Sequence, residues 1–223
     1  MNKIIYSIFV SSAFFVNSFT LNTLDVRGYS DLHNVILKEN VIDKNATDTD
    51  KVAQVKLLLA NGAIVDFADS YGRTPLWWAA ERNMPLVMAT LIDAGANVNG
   101  NNEHIPLGIA ACDGNKEAVE LLLSRGANTN IIGEDGCTPL HDAARGEAWL
   151  YPSTLPELKI CNPKKLQDYK DIISLLIKSG APTTNKDDAG LTPAQLARKQ
   201  QKEFYPKIKG CELAEHIEKC IKG

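Results

Sequence analysis

Thr138-Pro139-Leu140-His141-Asp142-Ala143-Ala144 is a seven-residue stretch that recurs along the chain. Looser copies stand at Thr74-Pro75-Leu76-Trp77-Trp78-Ala79-Ala80, at Ile105-Pro106-Leu107-Gly108-Ile109-Ala110-Ala111 and at Thr192-Pro193-Ala194-Gln195-Leu196-Ala197-Arg198, and a degenerate one, Ser30-Asp31-Leu32-His33-Asn34-Val35-Ile36, opens the series. The pattern has a local physical sense. A Thr hydroxyl caps a helix N-terminus, and Pro fits the first helical position, where its missing N–H costs nothing. Leu and the paired alanines then form a small apolar face that lets the helix press against its neighbours. Second apolar runs end in Gly-Ala: Val55 to Leu59 before Gly62-Ala63, Leu86 to Ile92 before Gly95-Ala96, Ala118 to Leu123 before Gly126-Ala127, and Ile172 to Ile177 before Gly180-Ala181. Each such glycine reads as the left-handed residue that stops a helix. Gly72, Gly136 and Gly190 stand two residues before the next Thr, where a turn needs positive φ.

Each unit therefore reads as helix, tight turn, helix and projecting turn. In this it resembles the ankyrin repeat, whose signature is a T-P-L-H-x-A run with a period of about 33 residues. The last four copies here are spaced by 31, 33 and 54 residues, with 44 at the front. The resemblance covers residues 29–200 and implies an all-α solenoid of about five helix-turn-helix units, with an insertion at 147–167 in the fourth. A region at 201–223, with a closing helix from about Glu212 to Ile221, is expected to cap the array. Leu121 is expected in the core of the third unit, and Trp77 and Trp78 are expected to face neighbouring helices in place of the signature histidine and its successor. The third unit's projecting turn, near Asn99 to His104, is two residues short and is expected to leave a notch.

The resemblance also implies function: a non-enzymatic protein-interaction module that binds a protein partner through its concave face and projecting turns. Carried over position by position, that surface comprises Ser70, Tyr71, Arg73, Glu81 and Arg82 in the second unit, Asp113 in the third, and Glu134, Asp135 and Arg145 in the fourth. Trp149 and Tyr151 in the insertion join the set, because exposed aromatic residues are a common source of binding energy. The surface is mixed in charge, which favours a specific protein partner over a polyanion. A chaperone-like stabilising or regulatory subunit of an enzyme in the same compartment is the alternative. The expected state is a monomer. In the family, the positions of Cys112 and Cys137 come close on the concave side, which makes them the first candidate disulfide; unpaired thiols remain the other reading.

Bulk composition narrows the field further. With 24 Lys and Arg against 27 Asp and Glu, the net charge is −3, which leaves no footprint for nucleic acid. The N-terminus is different in kind: after Lys3, residues Ile4 to Val16 form an uncharged apolar run of signal-peptide length, short for a membrane span. Residues 1–18 are expected to be an export signal, 19–28 a linker, and the mature chain to start near Phe19, secreted or periplasmic and without membrane insertion. An uncleaved membrane anchor is the alternative. Five cysteines fit either compartment.

No catalytic or cofactor motif stands out, and neither cofactor nor metal is expected. Cys137 and His141 invite a Cys–His nucleophile, but the family's histidine at this position implies a structural role. His216 and Cys220, four residues apart on the closing helix, would supply half a metal site, with Cys211 off their face.

Overall fold

A computed structural model describes residues 22–37, 48–101, 103–146, 163–204 and 213–222. The expected export signal, Trp149 and Tyr151 lie outside these. The described residues form ten α-helices and no strand: α1 (Asp31–Leu37), α2 (Asp48–Ala60), α3 (Pro75–Glu81), α4 (Pro85–Asp93), α5 (Pro106–Cys112), α6 (Lys116–Ser124), α7 (Pro139–Arg145), α8 (Pro163–Lys178), α9 (Pro193–Phe204) and α10 (Leu213–Lys222). They pair as five hairpins. The odd-numbered helices stack on one another in order, α1 to α9, and the even-numbered helices do the same on the other side, α2 to α10.

The start signals act as the sequence implies. Thr74 caps α3 through its hydroxyl, which accepts from the Trp77 N–H, and Thr138 forms a capping box with His141. Ile105 has no hydroxyl and gives α5 no side-chain cap. The stop signals act too: Gly126 sits at φ +81° with open space where a Cβ would go, so it is needed for its backbone angle alone.

The core is one continuous strip between the two layers. The paired alanines, Ala79 and Ala80, Ala110 and Ala111, Ala143 and Ala144, are completely buried, which lets consecutive inner helices approach closely. Leu107, Leu140, Ile172 and Leu176 fill the space beneath. In α6 the buried leucine is Leu122; Leu121 is only partly buried, because Ala118, Val119 and Leu122 form its inner face. Helix α8 starts at Pro163, so positions 163–167, expected within the insertion, are helical. Its Tyr169 is fully buried, with its hydroxyl donating to the Cys112 carbonyl at 2.7 Å.

Candidate functional site

Three of the projecting turns are built by aspartates. Asp69 Oδ1 accepts from the backbone N–H groups of Tyr71 and Arg73 at 2.8 and 2.9 Å, while the Asp69 N–H donates to the Arg73 carbonyl. Asp25 and Asp187 repeat this arrangement with Tyr29 and Leu191. The turns also lean on one another: the Ser70 N–H donates to the Gly28 carbonyl, Asn101 Nδ2 donates to the Gly72 carbonyl, and the Asp188 N–H donates to the Asp135 carbonyl. Turn tips therefore stand in a fixed row beside the inner helices.

Histidine ties the inner helices to these turns in two units. His141 Nδ1 lies 2.9 Å from the Thr138 hydroxyl and accepts from the Thr138 N–H, while Nε2 lies 3.1 Å from the Leu191 carbonyl in the next turn. A carbonyl only accepts, so the proton is on Nε2. His33 makes the same bridge from Ser30 to the Arg73 carbonyl. Burial pushes both imidazoles below their ordinary pKa. With both ring nitrogens engaged, His141 is not free to serve Cys137 as a base. The Cys137 and Cys112 thiols are themselves pushed up by burial, to about 11 and about 12, so neither is a ready nucleophile at neutral pH.

The second and third units lack the bridge, each differently. In the second, Trp78 Nε1 donates to Asp69 Oδ2 at 3.0 Å and the Arg73 guanidinium lies over the rings of Trp78, Tyr71 and Trp77 at 4.2, 4.7 and 5.4 Å. Arg73 Nε also pairs with Asp69. In the third, Gly108 occupies the histidine position. A Cβ there would lie 2.6 Å from Asp142 Oδ2, so the Asp142 carboxyl rests against the bare backbone of α5. Beside it a cleft of about 170 Å³ opens next to the shortened third turn.

These arrangements sort the expected contact residues. Tyr71 (67% exposed), Ser70, Arg82 and Asp135 are exposed. Glu81 pairs with Arg82 at 3.5 Å, and Arg145 approaches Asp135 at 3.6 Å. Burial raises the pKa of both Glu81 and Asp113. The Arg73 side chain is only partly exposed, held among three rings and a buried carboxylate. Glu134 stands in a short 3-10 turn, Glu134–Gly136, and its side chain is outside the described residues. Cys112 and Cys137 both stand as free thiols, so the pair suggested for them is not formed here. They border the same cleft. His216 Nε2 lies 3.0 Å from the Lys170 carbonyl and 2.9 Å from the Ser174 hydroxyl, tying α10 to α8. Among the described residues no group of three His, Cys, Asp or Glu is placed to hold a metal.

The turn aspartates escaped the sequence reading, although a signal was there. Asp25, Asp69 and Asp187 each stand three residues before a glycine and five before the Ser or Thr that precedes a helix. Asp142 escaped for another reason, since its setting depends on what position 108 lacks.

Comparisons with known proteins agree with this architecture. A family model of ankyrin repeats in three copies matches residues 89–151, and a single-repeat model matches residues 71–103. The chain is 37% identical over 114 residues to "Ankyrin repeat, SAM and basic leucine zipper domain-containing protein 1" of Mus musculus, a match over 48% of this chain and 24% of that protein. The rabbit (Oryctolagus cuniculus) protein of the same name is 37% identical over 116 residues, covering 49% and 24%. An ankyrin repeat protein of fowlpox virus is 29% identical over 157 residues, covering 68% of this chain and 41% of the viral one. The matched stretch thus spans about a quarter of the mammalian relatives. Ankyrin repeats are in general protein-interaction modules, and among the described residues no helix is long and apolar enough to cross a membrane. Matching repeat models, the stacked hairpins and the histidine bridges between turns together place the chain in the ankyrin repeat family.

Proposed function

We propose that the chain works by binding a protein partner across the row of turns and the adjoining ends of the inner helices, and carries out no chemistry of its own. The supporting observation is that Tyr71 and Asp135 at the turn tips and Arg82 at the end of α3 are exposed, while the backbone beneath is tied down: Asp69 and His33 Nε2 hold the Tyr71 turn, and the Asp135 carbonyl accepts from the Asp188 N–H. Rigid presentation of an aromatic and two opposite charges lowers the ordering cost of association. The test is photo-crosslinking in the native compartment, with a photoreactive residue at position 71 or 82 and, as control, at exposed position 57 on the outer helix α2. Adducts with one protein from 71 and 82 but not from 57 are expected; adducts from all three, or from none, overturn the reading.

Export is part of the proposal. The uncharged run from Ile4 to Val16 behind Lys3 supports it. Intact mass of the protein recovered from its source should place the N-terminus near Phe19, and a soluble chain retaining Met1 would refute this.

A further inference from the structure

The cleft between the third and fourth units holds an ionisable group that the fold does not use. Asp142, on α7, is partly buried, and neither of its carboxyl oxygens receives a hydrogen bond or ion pair from a described residue. Arg145, one turn further along α7, would be its natural counter-ion. It is directed elsewhere: Nη2 donates to Cys137 Sγ at 2.9 Å and Nη1 lies 3.6 Å from Asp135 Oδ2. Desolvation accordingly pushes the Asp142 pKa up to about 6. Leaving a carboxylate shielded and unpaired costs stability, and such a group persists most readily where something else supplies the partner.

The surroundings define what that something is. Gly108 removes a side chain from the floor of the cleft, and a Cβ on Gly133 would come within 2.8 Å of Ile105, so two glycines hold the space open. Ile105, Ile109 and the partly buried Trp77 supply apolar wall. Glu103 at the rim adds a second negative charge. The positive charge of Arg145 is offset by Asp135, and the remaining titratable groups lining the cleft with Asp142 are Cys112 at the end of α5, Glu103 and His104 in the third turn and Cys137 in the fourth. A long side chain with an apolar stem and a cationic head suits this lining; an anion meets two carboxylates.

We propose that this cleft is a specificity pocket for one lysine or arginine side chain of the partner, with Asp142 as its counter-ion and Trp77, Ile105 and Ile109 against its stem. This rests on the interaction reading above and adds the chemistry by which the partner is recognised. A charge-assisted bond to Asp142 supplies discrimination that the exposed rim charges do not.

The experiment titrates the full 15N-labelled chain at pH 7.5 with N-acetyl-lysine methylamide and N-acetyl-arginine methylamide, and with the neutral norleucine and citrulline counterparts. Saturable shifts of the Gly108 and Gly133 amide signals are expected with at least one cation. The neutral counterparts should bind about tenfold more weakly or worse. Asp142→Asn should lose the preference for cations while keeping its spectrum and melting no earlier, because it removes an unpaired charge. Gly108→Ala, which fills the floor and keeps Asp142, should also lose binding. Equal response to charged and neutral probes, undiminished binding in Asp142→Asn, or no saturable shift up to tens of millimolar overturns the pocket. These readouts do not involve the crosslinked partner, so failure here with crosslinking intact leaves the interaction reading standing, and the converse holds.

Discussion

The fourth unit carries His141 where the third carries Gly108, and that difference separates a joint from a cleft. In the fourth, His141 closes the space between its own cap and the Leu191 carbonyl of the next turn. In the third, Gly108 leaves that space bare, and Asp142 settles over it without a partner among the described residues. The second unit takes a middle course, filling the position with Trp77 and rebuilding the turn around Arg73, Asp69 and Trp78. A repeat array can lose a tie in one unit because its neighbours carry the stack. Where the tie is lost without replacement, the fold acquires a place for something foreign.

The comparison breaks most readily at the joint. His141→Ala should cost about 2–4 kcal/mol in urea unfolding, since it leaves a buried N–H and a buried carbonyl unpaired as well as a void. A loss under about 1 kcal/mol would show that the bridge is incidental. Acid should act in the same direction: burial holds His33 and His141 below their ordinary pKa. The unfolded chain therefore takes up protons first, and the stability these groups supply is present above about pH 6.5 and lost as pH falls below it.

Next in size is the rebuilt turn. Arg73→Ala should cost about 1–3 kcal/mol, from lost ring contact and a buried Asp69 stripped of its cation. Arg73→Lys should recover only part of this, because an ammonium does not stack as a planar guanidinium does. Full recovery in thermal melts would reduce the role of Arg73 to its charge.

At the cleft the sign reverses. Asp142 has a raised pKa when folded, so its ionisation costs stability as pH climbs from about 4 through about 6. Asp142→Asn should gain about 1–2 kcal/mol at pH 7 and lose that gain below pH 4. A mutant less stable than the parent at pH 7 would mean that the carboxylate serves the fold after all. The smallest effect belongs to the rim: Arg82→Ala should shift stability by less than about 0.5 kcal/mol, since its side chain is 42% exposed and its ion pair with Glu81 is long.

Much of the fold was written in local rules. Thr or Ser before Pro or Asp, and Gly after an apolar run, each act within one turn of helix, so they could be read without a partner in view. Leu121 and Leu122 show where that stops: in a run of three leucines every residue is apolar, and only the rotation of α6 against α4 and α8 decides which one is buried. Arg73 meets the same limit. Its turn position marks it as exposed, but Trp77 and Trp78, which it covers, reach back from the following helix. The cleft was hardest to see, because it arises from an absence in one unit and an acid in the next, 34 residues along the chain.

Tyr169 carries a consequence for how the molecule is held together. Its hydroxyl reaches the Cys112 carbonyl, its ring packs on Gly114, and nearby Lys116 and Asp171 pair at 2.6 Å across α6 and α8. Helix α8 is thus keyed to α5 and α6, which precede the 147–162 segment, by contacts that bypass that segment altogether. A chain severed within 147–162 should accordingly remain a single particle in solution, its two fragments separating only when the fold itself is undone.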